Sequence, residues 1–131
     1  MTNARVFIKD LLETLGVTVR QTKPEGKVEL PLITYAEITN INIELWHDRF
    51  SYQFDVYANT FEEAVDLIHK VDDAVTALGF NRDYVSPDTQ ARVDTDLYHK
   101  AASYTADINT LTGNIYQNHT TINNQEEEEN G

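Results

Sequence analysis

The chain has 131 residues, with 10 Lys and Arg against 22 Asp and Glu, a formal net charge of −12 at pH 7 and no cysteine. That length favours one domain with a core of its own. The lack of thiols excludes disulfides, thiolate metal sites and a cysteine nucleophile, and so negative a surface repels phosphate, which argues against ordinary nucleic-acid binding. The run Glu126 to Glu129 removes only four charges, so −8 remains on the rest of the chain. The first residues lead into a mixed charged and apolar segment rather than a signal-peptide core. No apolar run approaches the ~20 residues that span a bilayer, and a soluble protein without membrane contact is expected.

Thr2 or Asn3 is placed to cap a first helix carrying Val6, Ile8, Leu11, Leu12 and Leu15, which stops at Gly16. These apolar positions recur mainly at three- and four-residue steps, so one face should pack on a sheet. Val17 to Val19 is a short β-like run, and Gln21 to Lys27, with Pro24 and Gly26, has the residues of an exposed loop. From Leu30 a β-rich segment runs to Leu45. Ile33 and Tyr35 share one parity, Ala36 and Ile38 take the other, and Ile41, Ile43 and Leu45 return to the first. Two parity changes predict a bulge or a brief break near Glu37 to Asn40, in one bent strand or in two.

Trp46-His47-Asp48-Arg49 then reads as a turn longer than a tight two-residue hairpin, able to project as an arm. Phe50, Tyr52, Phe54, Val56 and Ala58 fall on one face and Ser51, Gln53, Asp55 and Tyr57 on the other. That alternation marks a sheet with one face on a core. Thr60 and Glu63 have the spacing of a capping box. Phe61, Ala64, Val65, Ile68, Val71, Val75 and Leu78 follow at helical spacing, and Gly79 can take the left-handed conformation that ends a helix.

Phe80 and Tyr84 suggest a short strand ended by Ser86-Pro87-Asp88, and Asp88 to Asp96 reads as a mobile loop. Tyr98, Lys100, Ala102, Tyr104, Ala106 and Ile108 alternate with His99, Ala101, Ser103, Thr105 and Asp107. Thr110 to Asn114 makes a turn, and Ile115-Tyr116 begins a return strand. Beyond Gln117 the composition is too polar to offset its ordering entropy. The expected fold class is α+β. Residues 1–117 form a single domain, a mostly antiparallel β-sheet packed by two main helices near 4–15 and 60–78, with an extended hairpin. Residues 118–131 form a disordered acidic tail.

No catalytic, cofactor-binding or metal site is expected. His47, His69, His99 and His119 form neither His-x-x-x-His nor His-Glu-x-x-His, the helical spacings that put two imidazoles on one metal. His69 and Asp73 are four apart, a spacing better explained as a solvated helix-surface pair. Asp94 and Asp96 straddle a stretch where nothing would raise the pKa of either for acid–base work. No nucleophile elbow or phosphate-cradling glycine loop occurs. Trp46, in a projecting turn, is either a satellite of the core or an anchor at a subunit interface, where Trp is enriched.

Several strings together resemble a viral family. They are Leu30-Pro31-Leu32-Ile33-Thr34-Tyr35, the stretch from Tyr57-Ala58-Asn59-Thr60 to Leu78-Gly79-Phe80, and the stretch from Tyr104-Thr105-Ala106-Asp107-Ile108 to Gly113-Asn114-Ile115-Tyr116. In this order, after a first helix, they look like the tail-terminator or head-to-tail joining proteins of long-tailed bacteriophages. The resemblance covers most of residues 3–117. It implies a structural virion protein, assembled in the bacterial host cytoplasm and placed at the tail–head junction. The partners implied are other copies of the chain in a homohexameric ring, the tail tube protein and the head connector, with DNA passing through without specific binding. Trp46, His47, Asp48 and Arg49 are the expected subunit contact. Other phage neck or head-completion proteins share this size and style. An acidic DNA mimic that inhibits a nucleic-acid enzyme is an alternative of a different class, weakened by Lys9, Arg20, Lys23 and Lys27 scattered among the acids.

Overall fold

The computed structural model describes residues 4–20, 30–86, 92–94 and 97–117. In chain order the elements are α1 (Ala4–Glu13), β1 (Thr18–Arg20), β2 (Leu32–Glu44), β3 (His47–Ala58), α2 (Phe61–Ala77), β4 (Asn81–Val85), β5 (Arg92–Asp94) and β6 (Leu97–Asn109). This is an α+β domain. The strands form one sheet in the order β1-β2-β3-β6-β4, with β5 beside the start of β6. Every pairing is antiparallel except β1 with β2.

Both helices lie against the sheet, α2 over β3 and β6, and α1 against β1, β2 and α2. Ala4, Ile8 and Leu12 form the buried stripe of α1, at four-residue steps. On α2 the stripe is Ala64, Leu67, Ile68, Val71 and Val75. These side chains share one core with Phe50, Tyr52, Phe54 and Val56 of β3 and with Ala102, Tyr104, Ala106 and Ile108 of β6. Each fully buried Ile or Val contributes about 1.5–3 kcal/mol relative to exposure, so the layer depends on this face.

The ends of α2 are built as its sequence predicts. Thr60 is extended, and its Oγ1 accepts from the Glu63 N–H at 3.1 Å. The Glu63 carboxylate reaches back and accepts from the Asn59 N–H at 3.2 Å. At the other end Gly79 has φ 108°, and its N–H donates to the Thr76 carbonyl at 3.0 Å, a conformation that costs glycine least.

Two core tyrosines carry their polar ends to carboxylates. Tyr52 donates to Glu37 and Tyr104 donates to Asp72, each at 2.7 Å. Burial, then these hydrogen bonds, push both phenols well above their ordinary pKa, so they stay neutral donors. Lys100 takes its place in the buried parity of β6, and its Nζ donates to the Ser86 carbonyl at 2.8 Å. Ser86 also exchanges hydrogen bonds with Ala101, which ties the end of β4 to β6.

Four expectations need correction. The β2–β3 turn is tight, with Leu45-Trp46 as its two loop residues and Trp46 at φ 62°; His47, Asp48 and Arg49 are already strand residues of β3. Their polar side chains disguised a strand that is paired on both sides, by β2 and by β6. The first helix ends at Glu13 rather than near residue 15, and the chain turns through Thr14 and Leu15 to Gly16 at φ 80°. Within the expected loop from Asp88 to Asp96, Arg92–Asp94 pairs with β6 as a strand, because backbone pairing requires no apolar periodicity. The long segment is one strand, β2, irregular between Glu37 and Thr39 and again between Asn42 and Glu44. Ile115 meets Ile108 as a single bridge rather than a return strand. The loop expected at Gln21 to Lys27 and the tail 118–131 lie outside the described residues.

Candidate assembly interface

β2 changes character along its length. Leu32, Ile33, Thr34 and Tyr35 are all buried, while from Ala36 onward every residue is exposed or half-buried. Beside the first part lies β1, whose partners are Leu32, Ile33 and Thr34. Past Thr34 no strand of the described residues lies along the outer edge of β2. Unpaired strand edges are templates for another strand. This edge also exposes Ile38, Ile41 and Ile43.

At the end of the hairpin the exposed apolar surface continues. Leu45 is 79% and Trp46 42% exposed, and next to them Leu111 is 62% exposed. The two tips are joined by the Thr110 N–H, which donates to the Trp46 carbonyl at 2.9 Å. Tyr116 completes the group, its ring 4.6 Å from that of His47. Trp46, Leu45, Leu111 and Tyr116 thus gather at one end of the sheet from two separate turns.

The four residues singled out in the sequence divide here. Trp46 is presented to solvent. His47 is half-buried, with Nδ1 3.5 Å from Glu44 and Nε2 3.2 Å from Asp107. The Nε2 contact is not aligned as a hydrogen bond, so it acts through charge when the ring is protonated. Asp48 accepts from Asn42 at 2.8 Å. Arg49 donates twice to Asp107, at 2.7 and 3.0 Å. Arg49, expected at the subunit contact, is thus paired with an acid of its own chain. Arg49 holds the Asp107 carboxyl below the usual carboxylate range, partial burial opposes this, and His47 reinforces it.

The other histidines are dispersed. His99 bonds Asp55 at 2.7 Å and stacks on Tyr57 with ring centroids 4.8 Å apart. His69 and Asp73 are exposed on α2, and His119 lies outside the described residues. Among the described residues no three His, Asp or Glu converge as a metal site, and no helix is long and apolar enough to cross a membrane. Ile38, Ile41, Ile43 and Leu111 were not singled out as interface residues. Their signal was the broken parity between Tyr35 and Leu45, which leaves isoleucines on positions the core does not claim. A scan against models of known protein families finds no match, and neither does a search of curated proteins.

Proposed function

We propose that this protein is a non-catalytic virion subunit of a long-tailed bacteriophage, forming a six-fold ring that ends the tail tube and joins it to the head connector. The observation that carries this reading is the exposed apolar end of the hairpin, continuous with an open strand edge, on a domain whose core is otherwise closed. Contiguous apolar surface on a soluble domain marks an interaction site, and an edge with a tip beside it suits repeated contacts around a closed ring. The order of elements fits the family resemblance of the sequence, which also supplies the six-fold count and the partners. The net charge of −12 suits a conduit through which DNA passes without sticking.

Adding the purified protein to growing tail tubes and imaging their ends tests the role. The expected result is tubes of arrested length with an added ring, and tubes that keep elongating at saturating protein would reject it. Trp46→Ala should leave the fold intact by circular dichroism and cap poorly, because Trp46 anchors nothing in the core; full capping by that variant would exclude the tip as a contact.

A further inference from the structure

The sheet has a second open edge among the described residues. Among the described residues β4 pairs only with β6, and Asn81, Arg82, Asp83 and Tyr84 are all exposed. Following the directions across the sheet, β3 opposes β2, β6 opposes β3, and β4 opposes β6. β4 therefore runs opposite to β2. Copies repeated head to tail bring these two edges together antiparallel, the more stable strand pairing.

The two edges also stand at the same height. Arg82 lies across from Tyr104, Tyr104 from Tyr52, and Tyr52 from Glu37. Likewise Tyr84 leads through Ser103 and Gln53 to Ala36, and Val85 leads through Ala102 and Phe54 to Tyr35. The β4 edge is thus level with the first stretch of β2 that β1 leaves open. Directly opposed residues project to one face, so Arg82 and Glu37 share the face that carries the helices. Their present contacts agree, Arg82 meeting Asp72 of α2 at 3.1 Å and Glu37 meeting the core Tyr52. Each keeps capacity for another partner, since a guanidinium has five donors and a carboxylate about four acceptor sites. The irregularities fall together too, between Arg82 and Tyr84 on one edge and between Glu37 and Thr39 on the other.

We propose that copies of this chain join head to tail by β-augmentation, the β4 edge of one pairing antiparallel with the open β2 edge of the next, and Arg82 set opposite Glu37. The occupant is a second copy because opposed direction, equal height and opposite charge are met by the chain's own second edge. This deepens the ring reading above and rests on it for closure of the ring. The apolar tip stays free of the joint, since Leu45 and Trp46 lie beyond the stretch level with β4, which leaves them for the tube or connector.

The cysteine-free chain allows a direct test. Ala36→Cys and Tyr84→Cys, combined in one full-length chain and oxidised mildly at physiological salt, should give a ladder of covalent oligomers that reductant collapses. An equimolar mixture of the two single variants should stop at a dimer linking positions 36 and 84, identified by mass spectrometry. Arg82→Glu added to the paired cysteines should lower the yield about tenfold, the range of replacing an attractive cross-strand pair by a repulsive one. Reversing Glu37→Arg as well should restore it. Absence of the 36–84 link at high protein concentration overturns the proposal, as does a yield indifferent to both reversals. Tubes capped by a protein that forms no such link would reject this joint and leave the terminator reading standing.

Discussion

The two halves of β2 are one strand by hydrogen bonding and two regions by chemistry. From Leu32 to Tyr35 every side chain is buried. Ile33 and Tyr35 enter the shared core, and Leu32 and Thr34, on the opposite parity, are buried as well. From Ala36 to Glu44 the strand keeps its ladder to β3 but leaves the cover of the helices, and its isoleucines meet solvent. Ladder hydrogen bonds join backbone groups whatever the polarity of the side chains, whereas burial needs a second layer. The near half is therefore an element of stability, and the far half is held in place by its partner strand while contributing little apolar burial of its own.

Truncations at matching positions should show the largest contrast. Ile33→Ala, on the buried half, opens a cavity in the shared core and should cost about 2–5 kcal/mol. Ile41→Ala, on the exposed half, should stay within about 0.5 kcal/mol of the parent. Urea melts of the two variants measure both. A large loss from Ile41→Ala in a dilute monomer would mean that the far half is packed, and would remove it as a candidate interface.

A smaller effect is expected at the start of α2, the helix that lies over β3 and β6. Thr60→Ala leaves the Glu63 N–H without its side-chain acceptor and should cost about 1 kcal/mol. Thr60→Ser should recover most of it. Equal melts for the Ala variant and the parent would show that the cap contributes nothing.

The smallest effect is read by pH, at the β3–β6 ion pair whose Arg49 lies across from Ile41 of the far half. Asp107 has its pKa lowered in the folded protein, chiefly by Arg49. Its contribution is present above the ordinary carboxylate range and is lost as pH falls through the lowered folded value. Asp107→Asn should therefore reduce stability near neutrality and flatten the acid limb of the stability curve. An unchanged acid limb would show that the Arg49–Asp107 pair does not tie β3 to β6.

The sequence was most legible where one segment carried a complete periodic signal. Phe50 to Ala58 and Tyr98 to Ile108 alternate with period two, and both became central strands whose even-numbered side chains are buried from Phe50 to Ala58 and from Lys100 to Ile108. Thr60, Glu63 and Gly79 mark the ends of α2 through contacts within a few residues, so local chemistry sufficed. His47 to Arg49 were misplaced because their pattern is polar, and what makes them a strand is pairing with Asn109, Ile108 and Asp107, about sixty residues away. The same long-range pairing gives Arg49 an acid in its own chain.

Local periodicity thus determined the two helices and the two central strands, since each depends on residues near in sequence. Only the tertiary structure decided which edge of β2 lies beside β1, a pairing that among the described residues ends at Thr34. It also set the level of Arg82 with Glu37 and brought Leu111 beside Trp46. Those relations join residues tens of positions apart through the register of three strands, and register is a property of paired backbones that no single segment carries.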